Sequence, residues 1–376
     1  MSRFSVTYGI RASDPADARA RAEAIALEQT VEVPRAVVPE GHIADEIVGR
    51  IEEIGSAGAG VYHATISYAP DSAGDEITQF LNVIFGNSSI QQGIRVIAID
   101  PGDEMARRFP GPRFGIAGLR RLTGRRSGGM ISPVLKPMGL SPGAFAELAA
   151  GCVRGGADIV KEDHGLAGQP TAPFRPRVEA VAEAVRKANA AEGRSALYFP
   201  NLSGRVDEIS ENLRFAKQAG AGGILVMPGL YGFGVVDRIA RDAEFDLPVM
   251  THPAFLGPYV LAADTGIAHG VMFGTIQRLA GADISVFPNV GGRFGFSAGE
   301  CHEIADHCRD AGGPGRPILP SPGGGMSVDR AADMVRMYGP DVVYLLGGSL
   351  LADPPRIDRA VAAMRRAVDA ADAAGA

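Results

Sequence analysis

The chain has 376 residues, 46% of them hydrophobic, and a formal net charge of −6. That length supports one large domain or two ordinary ones with a sizeable core. The charge balance excludes a nucleic-acid surface: the only tight basic cluster is Arg120, Arg121, Arg125 and Arg126, which reads as a solvated helix end or turn.

In chain order, "RFSVTYGI", "GAGVYHATISYA" and "IRVIAID" read as strands, and "DPADARARAEAIALEQT" and "TQFLNVIFG" as helices or helix–strand junctions. Together they predict a smaller α+β domain, ferredoxin-like in type, over residues 1–122. The turn-rich "RRFPGPRFGIAGLRRL" bridges this domain to the C-terminal two thirds of the chain. No apolar run approaches the ~18–20 residues of a membrane span. The start "MSRFSVTYGIRAS" shows no signal-peptide pattern, and Cys152, Cys301 and Cys308 have no CxxC spacing. The expectation is a cytoplasmic protein that engages neither nucleic acid nor membrane.

From about residue 125 a rhythm sets in. Short apolar runs end in Pro, Gly, Asn or a charge, and Ala-rich amphipathic segments come after them. The runs are "MISPVLKP", "ADIVKED", "ALYFPN", "GGILVMP", "LPVMTHP", "DISVFPN", "RPILPSPGG" and "DVVYLLGG". Ser141 and Pro142 supply an N-cap and a first-turn proline to the first intervening helix. Nearly continuous apolar strands suit a parallel sheet covered by helices. About eight such units predict a (β/α)8 TIM barrel over residues 123–376, with its active site at the C-terminal ends of the strands.

Those ends carry the chemistry. In "DIVKEDHG", Lys161 and Asp163 lie two residues apart on a strand and share a side. They read either as an ion pair or as a metal site, the latter if CO2 converts the lysine amine to an anionic carbamate. Lys136 ends the first barrel strand, as a snorkelling lysine or as a proton shuttle. His252 ends the fifth strand and could hydrogen-bond a hydroxyl or carry a proton. Gly324, Gly325, Gly347 and Gly348 end the seventh and eighth strands, as tight turns or as an anion cradle for a phosphate.

The stretch "LKPMGLSPGAFAELAAGCVRGGADIVKEDHG" resembles the RuBisCO large chain, as do "FPGPRFGIAGLRR", "YFPNLSG", "THPAF" and the two glycine-rich strand ends. The resemblance runs from about Glu28 to Gly348. It implies that Lys161 becomes a carbamate and binds Mg2+ with Asp163, that Lys136 and His252 are catalytic, and that the four glycines take one substrate phosphate. It also implies that Glu28 reaches the active site of a partner subunit in a homodimer, with Asn87 near the metal.

Departures from the family's pattern decide the expected function. His164 stands at the third metal ligand, Met138 at the second lysine of the first-strand motif, and Pro253 at the arginine for a second phosphate. Ser285 replaces a histidine, Val33 and Pro34 replace a threonine and a tryptophan, and only Arg293 lies near the place of the mobile-loop lysine. The chain therefore resembles a non-carboxylating, form IV RuBisCO-like protein. The retained glycines with a lost second phosphate site imply a monophosphorylated keto-sugar or keto-sugar acid as substrate. Its chemistry is expected to be Mg2+-dependent enolisation leading to isomerisation, enolisation proper or decarboxylation. The alternative is a non-catalytic phosphate-ligand sensor. At His164 three readings stay open: a ligand to a softer ion, a proton carrier beside Mg2+, or a metal-free site with unmodified Lys161.

Overall fold

The computed structural model describes residues 3–348 and 356–375. Residues 349–353 of the "LLGGSLLAD" stretch lie outside the described residues. The N-terminal sheet contains β1 (Phe4–Arg11), β2 (Arg50–Gly58), β3 (Val61–Tyr68) and β4 (Ile94–Asp100), antiparallel to one another. The barrel contains β5 (Met130–Leu135), β6 (Ile159–Glu162), β7 (Leu197–Phe199), β8 (Ile224–Val226), β9 (Val249–Thr251), β11 (Ile284–Pro288), β12 (Leu319–Gly323) and β13 (Val343–Leu346). Its eight strands are parallel in the order β7-β6-β5-β13-β12-β11-β9-β8, and a bridge between Asn201 and Leu225 closes the ring. The fold is thus a TIM barrel preceded by a smaller α+β domain. No helix among the described residues is long and apolar enough to cross a membrane.

The two parts are stitched by a strand that sequence reading missed. The short β10 (Gly266–Ile267) leaves the barrel between β9 and β11 and pairs in parallel with β4, making the N-terminal sheet five-stranded. Two residues give no periodicity to read. Gly266 is required here: its φ is +107°, and a Cβ would sit 2.2 Å from the Tyr259 carbonyl oxygen. The strand β2 was also missed. It is largely exposed and reads "RIEEIGSAG", which lacks an apolar face.

Inside the barrel, Met130, Val134, Ile159, Phe199, Leu225, Met250, Ile284, Leu319 and Val343 form a closed apolar core. The floor of that core is Leu119, from the helix Gly115–Thr123 in the bridge segment. Asp283, at the entry to β11, holds this helix in place. Its Oδ1 accepts from the Phe114 and Gly115 N–H groups at 2.8 and 2.7 Å, and its Oδ2 from the Val249 N–H at 2.9 Å. Burial pushes its carboxyl up to about 6, against the pull of those three amides. The basic cluster is only partly a solvated helix end: Arg121 and Arg126 are exposed, while Arg120 and Arg125 are half-buried and paired. Arg120 pairs with Asp341 at 2.6 Å and Arg125 with Asp369 at 2.5 Å, which ties the bridge to the barrel's underside.

Asp283→Ala strands three buried amide donors, each worth about 1–3 kcal/mol when unsatisfied. The variant is expected to unfold at a clearly lower urea midpoint, and Asp283→Asn, which keeps one acceptor, to fall between it and wild type. Equal midpoints for Asp283→Ala and wild type would contradict this role.

Candidate active site

Parallel strands bring all their C-terminal ends to one rim, so residues far apart in sequence meet there. Lys136 comes just after β5, and its Nζ lies 2.8 Å from Asp163 Oδ2 just past β6. The ion pair foreseen for Asp163 is therefore made by Lys136. The other carboxylate oxygen accepts from the Gly165 N–H at 2.9 Å. Burial raises the Asp163 carboxyl, but its bonds to Lys136 and Gly165 and the charges of both lysines outweigh this and hold it below its ordinary value.

Lys161 is 1% exposed, and its amine donates 2.7 Å to the Glu162 carbonyl oxygen. Burial, reinforced by Lys136 and opposed by Asp163, lowers its pKa to about 8. A buried amine this easily deprotonated has the nucleophilic character that carbamate formation needs.

Across the mouth, the rings of His164 and His252 stack with centroids 4.0 Å apart and an interplanar angle of 17°. Burial pushes both imidazoles toward the neutral form. For His164 the Asp163 charge opposes this, while Lys161, Lys136 and Arg293 add to it; for His252, Lys161, His164 and Lys136 add to it. His252 Nδ1 accepts the Ala254 N–H at 3.2 Å, which assigns its own proton to Nε2. It therefore presents a hydrogen-bond donor.

The strand end is anchored from outside the barrel by residues that sequence reading did not single out. Glu162 points away from Lys161 and is fully buried, as is Arg177 on the helix Phe174–Glu192. Arg177 forks onto Glu162 at 2.7 and 3.2 Å, and the Tyr198 hydroxyl and the Asn201 N–H donate to the same carboxylate at 2.6 and 2.9 Å. Arg177 also donates to the carbonyls of Ala167, at 2.7 Å, and Ala172. Asn201 Nδ2 donates to those of His164 and Leu166 at 3.2 and 2.7 Å. The loop carrying Asp163 and His164 is thus held by side chains from two neighbouring elements. The only sequence signal was the alternation in "KED", which sends Glu162 to the opposite face from Lys161.

The pairing of Gly323 with Leu345 sets Gly324–Gly325 beside Gly347–Gly348 at the same rim. Gly324 and Gly325 have φ of +97° and +66°, a left-handed turn that glycine permits. Ser285 plays no part, because its hydroxyl donates to the Phe273 carbonyl at 2.5 Å. Glu28 and Asn87 meet each other, Asn87 Nδ2 donating to Glu28 at 3.0 Å and to Glu32 at 2.9 Å. They do so on the N-terminal domain, and among the described residues no hydrogen bond or ion pair joins them to the barrel mouth.

The donors present bear on a metal. Asp163 and His164 supply one carboxylate and one imidazole, with His164 Nδ1 3.7 Å from Asp163 Oδ1. No cluster of three or more His, Cys, Asp or Glu suited to a metal occurs among the described residues. A hard divalent ion fits only when Lys161 contributes carbamate oxygens.

Comparison with known proteins bears on the family and the fold. Residues 115–299 match the model for the ribulose bisphosphate carboxylase large chain, catalytic domain. The crystal structure of a Rubisco-like protein from Rhodopseudomonas palustris superposes with a TM-score of 0.87 at 38% identity, covering 98% of each chain. The 5-methylthioribulose-1-phosphate isomerase of Rhodospirillum rubrum is 36% identical over 99% of this chain and 98% of its own. The 2,3-diketo-5-methylthiopentyl-1-phosphate enolase of Geobacillus thermodenitrificans is 30% identical over 99% and 93%.

Removing one member of a buried ion pair costs about 3–5 kcal/mol, because the other charge stays buried and unpaired. Arg177→Met is expected to lose about that much in equilibrium denaturation, as is Glu162→Leu. The double variant should lose less than the sum. Strict additivity would show that the two charges do not act as a pair.

Proposed function

The chain belongs to the RuBisCO large-chain family, among its RuBisCO-like proteins, and from that premise we propose that it enolises a monophosphorylated keto-sugar as an isomerase or enolase. The observation that carries this reading is the crowding of Lys136, Lys161, Asp163, His164 and His252 at one barrel mouth, with a glycine turn for one phosphate on the strands beside Lys136.

The four glycines hold the phosphate and so fix where the carbonyl lies. A basic group removes the proton on the carbon next to it, and the C–H electron pair moves through the new C=C bond onto the carbonyl oxygen. Return of a proton at the adjacent carbon gives the isomer. Lys136, kept at the mouth by Asp163, carries the proton and steadies the enediolate oxygen, and the Nε2–H of His252 donates to a substrate hydroxyl. Lys161 as a carbamate, with Asp163, is the set that would hold Mg2+, and the ion when bound polarises the substrate carbonyl. His164, half-exposed and held toward neutrality, serves beside it as a proton carrier. In a homodimer, Glu28 and Asn87 would close the partner's mouth.

Loss of the second phosphate site separates this reading from carboxylation. Pro253 carries no charge, and Ser285 is bonded inward. The relatives' substrates, 5-methylthioribulose 1-phosphate and 2,3-diketo-5-methylthiopentyl 1-phosphate, each have a single phosphate and are the first to assay.

Lys136→Met is expected to lower kcat on the accepted substrate by about 10²–10⁴-fold with the fold intact. Wild-type turnover by that variant would overturn the assignment. With 13C-bicarbonate and Mg2+, the wild type should show a carbamate carbon resonance by NMR that Lys161→Arg lacks. A resonance surviving in Lys161→Arg would remove the carbamate from Lys161.

A further inference from the structure

We propose that Arg330 and Asn289 are positioning residues for the substrate's phosphate, because each takes a carbonyl oxygen of the glycine turn and so sets the direction of its amides. The proposal rests on the reading of Gly324 and Gly325 as the phosphate site.

Asn289 is fully buried at the end of β11. The Tyr338 hydroxyl donates to its Oδ1 at 2.6 Å, which turns the Nδ2 group toward the Gly324 carbonyl, 3.2 Å away. In a trans peptide the carbonyl and the next N–H point in opposite directions. Capping the Gly324 carbonyl from inside therefore aims the Gly325 N–H outward.

Arg330 grips the same turn from the other side. Its Nη1 donates to the Gly325 carbonyl at 2.5 Å and its Nη2 to the Val290 carbonyl at 3.1 Å. One guanidinium thus ties the loop after β11 to the turn after β12. The two loops touch closely: a Cβ on Gly325 would lie 3.0 Å from the Gly291 carbonyl oxygen and 2.5 Å from Arg330 Nη1. Among the described residues the Gly325 N–H has no hydrogen-bond partner, whereas the pairing of Gly323 with Leu345 places the Gly324 N–H in the ladder toward the Leu345 carbonyl. The Gly324 and Gly325 carbonyls are both occupied by side chains, and the fixed positive charge of Arg330 sits against the turn. A turn with capped carbonyls, an open Gly325 amide and an adjacent guanidinium is arranged for an anion.

The test is calorimetric binding of inorganic phosphate to the full-length protein, with KM and kcat on the accepted substrate. Arg330→Met is expected to weaken phosphate about tenfold, the scale of one charge-assisted hydrogen bond, and to raise KM alike while kcat stays within about twofold. Arg330→Lys, which keeps the charge and one donor, should recover part of the loss. It gives the same comparison if Arg330→Met does not fold. Gly347→Ala tests the site itself: among the described residues its Cβ would meet nothing within 4 Å, so a loss of phosphate binding there would not come from a clash with them. If Gly347→Ala weakens phosphate and the Arg330 variants do not, the positioning role is wrong and the site stands. If neither changes binding, the phosphate lies elsewhere and both fail.

Discussion

The buried pair of Glu162 and Arg177 is the constraint on which the site depends. Alternation along β6 sends Lys161 into the barrel and Glu162 into the layer between strand and helix. A carboxylate there is tolerable only if it is paired and fully hydrogen-bonded. Arg177, Tyr198 and the Asn201 amide meet that demand. Satisfying it fixes more than one charge, because Arg177 and Asn201 also hold the carbonyls of the loop that carries Asp163 and His164. The outer polar network and the inner reactive one are two faces of one strand end.

The inner face gains its chemistry from that rigidity. With the strand end fixed, burial acts on Lys161 without giving the amine a way out to solvent. The same burial keeps two stacked imidazoles neutral beside two lysines. A single acid, Asp163, stands among these groups and pairs with Lys136. Such a mouth can take and return a proton, and it can stabilise negative charge developing on an oxygen. Opposite demands are met at the glycine turn, where Asn289 and Arg330 occupy carbonyls and the Gly325 amide stays open. On the proposed reading the mouth has one end for reaction and one for a phosphate, and the positions that would serve a second phosphate hold a proline and an inward-bonded serine.

The strand rhythm was legible because barrel strands are buried on both faces and read as apolar runs, and the Ser141–Pro142 helix start was legible because capping is local. Lys136, Lys161, Asp163, His252 and the glycine pairs could be placed at the rim from that rhythm alone. Family resemblance chose among the roles that the residues alone left open. The rest escaped because its signals are not local. Arg177 sits 15 positions from Glu162 in an ordinary amphipathic helix, Asp283 holds amides more than 160 positions away, and Arg330 reads as one more surface arginine. A partner across the fold leaves no periodicity in the sequence. The two-residue β10 and the exposed β2 failed for the related reason that neither has an apolar pattern of its own.

The central claim is that this mouth removes and returns a proton next to a carbonyl and does not fix carbon. Turnover of 5-methylthioribulose 1-phosphate by the wild-type protein in D2O, monitored by NMR and mass spectrometry, tests it most directly. The account predicts deuterium on the carbon beside the carbonyl, in recovered substrate or in product. Product formed with no solvent deuterium at that carbon, or label from bicarbonate fixed into a new carboxylate, would contradict it.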